Sequence, residues 1–431
     1  MGMTLKEITQ AWESRLLELY GRFESNPLLR PVNEAAAKRL AELGLPGKKH
    51  EMFTFVSLRE LFTIQFEFQY GPEKAPDEGQ VKKHVYPGCE QSYIVLVDGK
   101  FDEKLSNVVS LTGLITVAPL EKGPDIAALM DGVKKENDIF ACINSLFLSG
   151  GVSVEIRDGT KLETPIQILH LSTGIAGKNT FTSPRVIVNI GSGSGAQVVE
   201  KLAGNPGGHF FNAVTEVNMK EGASAQWSRV QSGGAGGFHF SKTRIRMAKD
   251  SRFKGVGASS GGKVERHNCE VRLVGEGAEL TLRGLAVLEG TEQAHSYFRA
   301  YHEAPGCSSY QLFRNILRGA SVASVDTAAV VRPGAQLTVS EQLINNLMLS
   351  GTARADMKPI LMIHADDVKC KHGATVGRVD ENQVFYMRSR GLSDAQARAL
   401  LTSGFAKSVI NEIPFAPAAQ EADRILLRKL E

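Results

Sequence analysis

The segment "DDVKCKHGATVG", residues 366–377, sets a cysteine and a histidine two positions apart, behind two aspartates and ahead of a glycine-containing turn. On an extended backbone, positions i and i+2 share a face, so Cys370 and His372 would present a thiol and an imidazole side by side. That pair suits iron, zinc or copper. A stable site takes about four ligands, and this segment supplies two good ones, so the remainder must come from elsewhere in the chain or from another chain. Asp366 and Asp367 add hard oxygen donors that would help recruit iron, or they are solvated residues that stabilise the turn. The plain alternative makes Cys370 a small buried hydrophobe and His372 a turn residue.

Other chemistry-bearing patterns are weaker. "GASSGGKV", residues 257–264, fits the phosphate-loop spacing up to its lysine but ends in valine, so the hydroxyl that holds magnesium is missing. A structural turn is the reading it supports, and no ATP is expected on this chain. "AHSYFRAYHEAPGC" gathers His295, His302 and Cys307, but the histidines are seven positions apart. On one continuous strand they would face opposite ways. Nucleophile-elbow, zinc-protease and four-cysteine patterns are absent from the sequence.

The elements that position these residues follow from length and periodicity. With 431 residues the chain has room for two or three structural units, and 50 basic against 47 acidic side chains favour neither nucleic acid nor a membrane surface. Five scattered cysteines without a C-x-x-C pair argue for a reducing compartment. The N-terminal stretch has acidic residues and no continuous apolar run, so neither a signal peptide nor a membrane span is expected there. A cytoplasmic location is the resulting expectation.

Leu5, Ile8, Trp12, Leu16, Leu19 and Phe23 form a helical stripe that Asn26 and Pro27 stop, and a second helix is expected over residues 33–43. Residues 49–138 alternate short apolar strands with polar turns. From about Gly150 the texture becomes short Val-, Ile-, Leu- and Thr-rich runs punctuated by glycine. Segments beginning at Gly195, Gly222, Asp250, Gly277, Gly306 and Gly334 recur every 27 to 29 residues. Gly208, Gly237, Gly262, Gly290 and Gly319 fall about halfway, which implies two sheets per coil. The third position after each start is apolar at Val198, Ala225, Phe253, Leu280 and Leu337, with Ser309 the exception. Such a period predicts a stacked solenoid. The expected division is an N-terminal helical and mixed region over 1–149, a flattened parallel β-helix over 150–388 and a helical region over 389–431. In the last, Ser393 and Gln396 have capping-box spacing, and Leu400, Leu401, Phe405, Val409 and Ile410 supply an apolar face. These helices would cap the solenoid or dock another protein.

The segments "DDVKCKHGATVGRVDENQVFYMRSRG", "SDAQARALLTSGF", "QLINNLMLSGTARADMKP", "PGCSSYQLFRNIL" and "GGKVERHNCEVRLVGEGAELTLRGL", with "LETPIQI" and "GLPGKKHEMFTF" upstream, resemble the SufB/SufD family of iron–sulfur cluster assembly proteins. The extended N-terminus and "DDVKCKHGATVG" are most like its SufD branch. SufB-like chains would carry a cysteine in the "SGTARADMKP" region and His-Glu where this chain has His372 and Gly373. The resemblance implies a mainly β, right-handed parallel β-helix. It further implies a non-catalytic scaffold that pairs with a SufB-like paralogue through the C-terminal part of the solenoid. A SufC-like ATPase would dock on the C-terminal helices. A transient iron or iron–sulfur cluster would sit at the paralogue interface, with His372 first and Cys370 second as ligands from this chain. Reduced flavin in the complex and a homodimer of the isolated chain are compatible with it. Two other function classes stand beside it: a stand-alone β-helix enzyme acting on polysaccharide, and a homodimeric structural protein.

Overall fold

The computed structural model describes residues 4–46, 50–122, 126–204, 208–231 and 236–430. Residues 47–49, within the "GLPGKKHEMFTF" stretch, lie outside it, as do 1–3 and 431. Two parallel sheets run the length of a solenoid. One sheet stacks Val152–Ile156, Arg185–Ile190, His209–Met219, Phe238–Met247, Val264–Leu273, Gln293–His302, Val322–Val331 and Arg354–Ile363. The other stacks Ile166–Leu171, Gly195–Ala203, Ser224–Gln231, Arg252–Ser259, Glu279–Leu288, Ser308–Leu317, Thr338–Met348 and Val368–Gly377. The chain alternates between them, so each coil lays one strand on each sheet.

The repeat has a backbone cause. Along one edge Gly193, Gly222, Asp250, Gly277, Gly306 and Leu337 all adopt positive φ, between 55° and 70°. Each donates its N–H across to the following coil: Gly222 to Lys249 O at 2.8 Å, Asp250 to Glu276 O at 2.8 Å, Gly306 to Gln336 O at 2.8 Å and Leu337 to Asp367 O at 2.6 Å. Glycine is favoured where a left-handed corner is required, and aspartate tolerates it. Two of the expected starts move. Gly193 rather than Gly195 opens the ladder, and Leu337 rather than Gly334 closes it, because the last step lengthens to 31 residues between Ser309 and Ser340.

Side chains fill the space between the sheets in columns set by register. Ala196, Ala225, Phe253, Leu280, Ser309, Ser340 and Cys370 form one column. Val198 belongs to the adjacent column beside Trp227. Leu337 is outside both, 62% exposed at its corner. Val186, Val188, Val217, Ile245, Val271, Phe298 and Val325 meet these columns from the other sheet.

Both outer faces are partly covered. The helices Leu5–Gly21 and Arg30–Leu43 bury Ile8, Trp12, Leu16, Val32 and Leu40 in a cluster that extends to Phe181, Phe210, Phe238 and Phe240 on the first sheet. The second helix starts before residue 33 because Pro31 fits the first turn, where its missing N–H has no intrahelical acceptor. Strands Tyr93–Val97, Lys100–Asn107 and Ile115–Pro119, from the mixed region, extend the two sheets at the first coil. At the other terminus, Glu381–Ser389, Asp394–Ile410 and Ala416–Leu430 are helices. The Ser393–Gln396 capping box is formed. These helices do not cap the solenoid's end. Ala406, Val409, Ile410, Ile413, Phe415, Ile425 and Leu426 lie against Val199, Val230, Val256, Leu285, Val287, Ile316 and Leu347 on the outer face of the second sheet. Salt bridges from Lys201 to Glu421 (2.9 Å) and Lys254 to Glu412 (2.7 Å) pin them there.

Candidate functional site

With the tail folded along its side, the solenoid is left open at its last coil. Arg354–Ile363 pairs only with Val322–Val331, and Val368–Gly377 only with Thr338–Met348, so among the described residues each sheet ends in an unpaired strand edge. Unpaired edges are templates for another chain's strand. Met362, Ile363 and Val376 are exposed there, at 45%, 36% and 53%.

Cys370 and His372 stand on this last coil. Register places Cys370 over Ser340 and His372 over Gln342. Ser340, Gln342 and Ile344 are buried inward positions of Thr338–Met348, so both donors share the lumen-facing side of the terminal strand. Cys370 is half-buried and His372 exposed. Burial pushes the Cys370 thiol up, against a smaller opposing effect of a backbone hydrogen bond from Ser340. Asp366 and Asp367 lie at the exposed corner before this strand. Asp367 serves the turn: its carbonyl accepts from Leu337 N–H, and its own N–H donates to Gln336 Oε1 at 2.9 Å.

The other candidates separate. His295 faces outward, hydrogen-bonded to Ser324 Oγ at 2.7 Å, while His302 faces the lumen, 2.9 Å from Ser309 Oγ. Cys307 donates from a buried turn to Gly275 O at 3.2 Å. The "GASSGGKV" segment rounds a corner between two strands, and Lys263 at that corner pairs with Glu60. Among the described residues no group of three or more His, Cys, Asp or Glu side chains is placed to hold a metal. Cys370 and His372 are therefore at most part of a ligand set.

Sequence reading missed what lies behind them. In the earlier coils the two columns leading to the site are apolar, as at Ala225, Phe253 and Leu280 in one and Val198, Trp227 and Leu282 in the other. Over the last coils they turn polar. Ser309 and Ser340 are linked Oγ to Oγ at 2.9 Å, Thr327 donates to Gln311 Oε1, and Asn315 Nδ2 donates to Asn346 Oδ1 at 2.7 Å. Ser309, the one break in the apolar count, was the visible signal. Deeper in the lumen, Gly255, Gly257 and Gly284 replace inward side chains, and a cavity of about 120 Å³ opens beside Glu200, Arg229, Glu265 and His267.

Residues 173–405 match the description "SUF system FeS cluster assembly, SufBD core domain", and residues 18–168 match "SufBD protein N-terminal region". The chain belongs to the SufBD family. An iron–sulfur cluster assembly SufBD family protein of Synechocystis is 30% identical over 397 residues, covering 89% of this chain and 87% of that protein. The iron–sulfur cluster assembly protein SufD of Escherichia coli is 28% identical over 378 residues, 87% of each chain. SufD of Bacillus subtilis is 26% identical over 307 residues, covering 70% of this chain and 69% of that protein. The SufBD core match takes in the coils that carry Cys370 and His372 and runs on into the helix Asp394–Ile410. The protein is thus an iron–sulfur cluster assembly component with a two-sheet β-solenoid. No helix among the described residues is long and apolar enough to cross a membrane.

Proposed function

We propose that this chain is the SufD-type scaffold subunit of a SufBCD-type complex. Its open last coil pairs with a SufB-like paralogue, and iron or a nascent cluster is handled as cargo where the two chains meet. The observation that carries this reading is the position of Cys370 and His372. They occupy the inward face of a terminal strand whose outer edge has no partner among the described residues. A strand added by another chain would lie about 4.8 Å away and bring its own side chains beside them. This chain then contributes an imidazole and a thiol, and the paralogue contributes the remaining donors. The chain performs no chemistry of its own in this reading; ATP hydrolysis belongs to a SufC-like partner, and a reduced flavin would belong to the assembled complex.

The docking surface for that ATPase is assigned to the exposed side of the terminal helices. Phe385, Tyr386 and Leu400 are 72%, 59% and 54% exposed, although neighbouring residues of the same tail are buried on the second sheet. Deleting the whole tail would strip Val256, Leu285 and Ile316 of their cover. Point substitutions are the better test. The purified chain is mixed with a SufB-like and a SufC-like protein, and the complex mass is measured. A ternary complex is expected, with Phe385→Asp combined with Leu400→Asp losing the ATPase but keeping the paralogue. A chain that remains alone or only homodimeric in the mixture overturns the reading, and full ATPase capture by the double variant moves the docking site.

A further inference from the structure

We propose that Gln342 is a positioning residue for His372, holding one ring N–H so that the other ring nitrogen faces the open end of the solenoid. The inference rests on the reading of His372 as a ligand from this chain. Gln342 lies on the strand next to His372, at the same inward register position. It is 1% exposed, and its Nε2 reaches across the lumen to Ile360 O at 3.4 Å. Its Oε1 is buried with no hydrogen-bond partner among the described residues. A buried acceptor left unpaired is unfavourable, and native interiors rarely keep one without a use.

The surrounding ladder fixes which way the amide points. One coil further in, Gln311 accepts the Thr327 hydroxyl at Oε1, which leaves its Nε2 to donate along the column; among the described residues that Nε2 is also buried without a partner. An amide oxygen has two lone pairs. Gln342 Oε1 can therefore take Gln311 Nε2–H on one side and a His372 ring N–H on the other. The neighbouring columns already form such ladders on the same strands. Asn315 Nδ2 donates to Asn346 Oδ1 at 2.7 Å, and Asn346 Nδ2 donates onward to Thr375 O at 3.3 Å. Ser309 and Ser340 do the same with hydroxyls at 2.9 Å. In the middle column both links are still open, and completing it takes Gln311 Nε2–H and a His372 ring N–H closing onto Gln342 Oε1. A histidine ligand whose second nitrogen donates to a fixed acceptor has its tautomer and ring plane set, which sharpens metal affinity.

The test uses the full chain, labelled with ¹⁵N-histidine and assembled with a SufB-like paralogue. His372 ring ¹⁵N shifts report its tautomer, and retention of ferrous iron by the complex is measured in parallel. Wild type is expected to show a single neutral tautomer. Gln342→Met, near in size but without the acceptor, is expected to show mixed tautomers and about 10- to 100-fold weaker iron retention. Gln342→Glu, which restores an acceptor, should recover the single tautomer. Unchanged tautomer and iron retention in an assembled Gln342→Met complex overturn the inference. If that variant fails to assemble, the wild-type spectrum decides, and mixed tautomers there overturn it. His372→Ala separates the two levels: wild-type iron retention by that variant overturns the ligand reading itself, whereas the ¹⁵N shifts of the unsubstituted His372 still report the hydrogen bond.

Discussion

Cys370 and His372 sit two positions apart on one face, yet their surroundings leave them different freedom. The thiol is half-buried beside Ser340 and pushed up by that burial, so it must lose a proton against its environment before it can bind metal. The imidazole is exposed, so a metal at the open coil reaches it without displacing neighbouring side chains. His372→Ala is accordingly expected to cut cluster yield of the assembled complex at least tenfold without changing its mass, as removal of a ligand would. Cys370→Ser should cost less if the thiol serves packing and position, and as much if it is a ligand. Mössbauer and ultraviolet–visible spectra of the reconstituted complexes rank the two. Wild-type cluster yield with both substitutions together would return this pair to a structural role.

At the scale of the element, the left-handed corner explains both what the sequence pattern revealed and where it slipped. Gly222, Asp250, Gly277 and Gly306 were readable because few residue types accept positive φ, and their spacing reports the coil directly. Leu337 was not readable, since leucine at a left-handed position carries no compositional signal. The nearby Gly334 drew the count three residues early. Leu337→Gly should relieve a strain of about 1 kcal/mol, because the side chain is largely exposed and contributes little packing. A higher urea midpoint with an unchanged slope is the expected result, and a lower midpoint would show that Leu337 packs in a way its exposure hides. The tail was legible as helix from its capping box and apolar stripe. Its resting place was not, because a stripe shows that a face must be covered without naming the surface that covers it. The amide and hydroxyl ladders behind the site stayed hidden for a related reason. Gln311, Gln342 and Asn346 look like ordinary polar positions until register brings them into columns.

For the whole molecule, the polar stretches of the solenoid's interior make its stability depend on pH. His209, His239, His267 and His302 all face the lumen, and burial pushes them down to about 4, 3, 3 and 4 from an ordinary value of 6.5. Glu200 is shifted in the other sense: burial alone would raise it, but the hydrogen bond from His170 and the nearby Arg229 charge bring it to about 2. As pH falls through 6.5 the unfolded chain protonates its histidines, while the folded chain keeps these four neutral until about pH 4. The unfolded state then binds more protons, so stability falls as pH falls. Glu200 acts in the same direction below pH 4.5, where the unfolded carboxylate protonates first. Each histidine contributes a loss of up to about 2 kcal/mol between pH 6.5 and pH 5, and two behaving fully would remove a large part of a typical 5–15 kcal/mol of domain stability. Urea denaturation at pH 7.5, 6 and 5 should show the midpoint dropping steadily. His239→Gln, which keeps a polar group beside Gln231, should flatten that dependence by about one proton. A midpoint that stays level from pH 7.5 to 5 would mean that the lumen histidines take up protons in the folded chain as readily as in the unfolded one. In that case the solenoid's interior would have to be hydrated along these columns rather than closed.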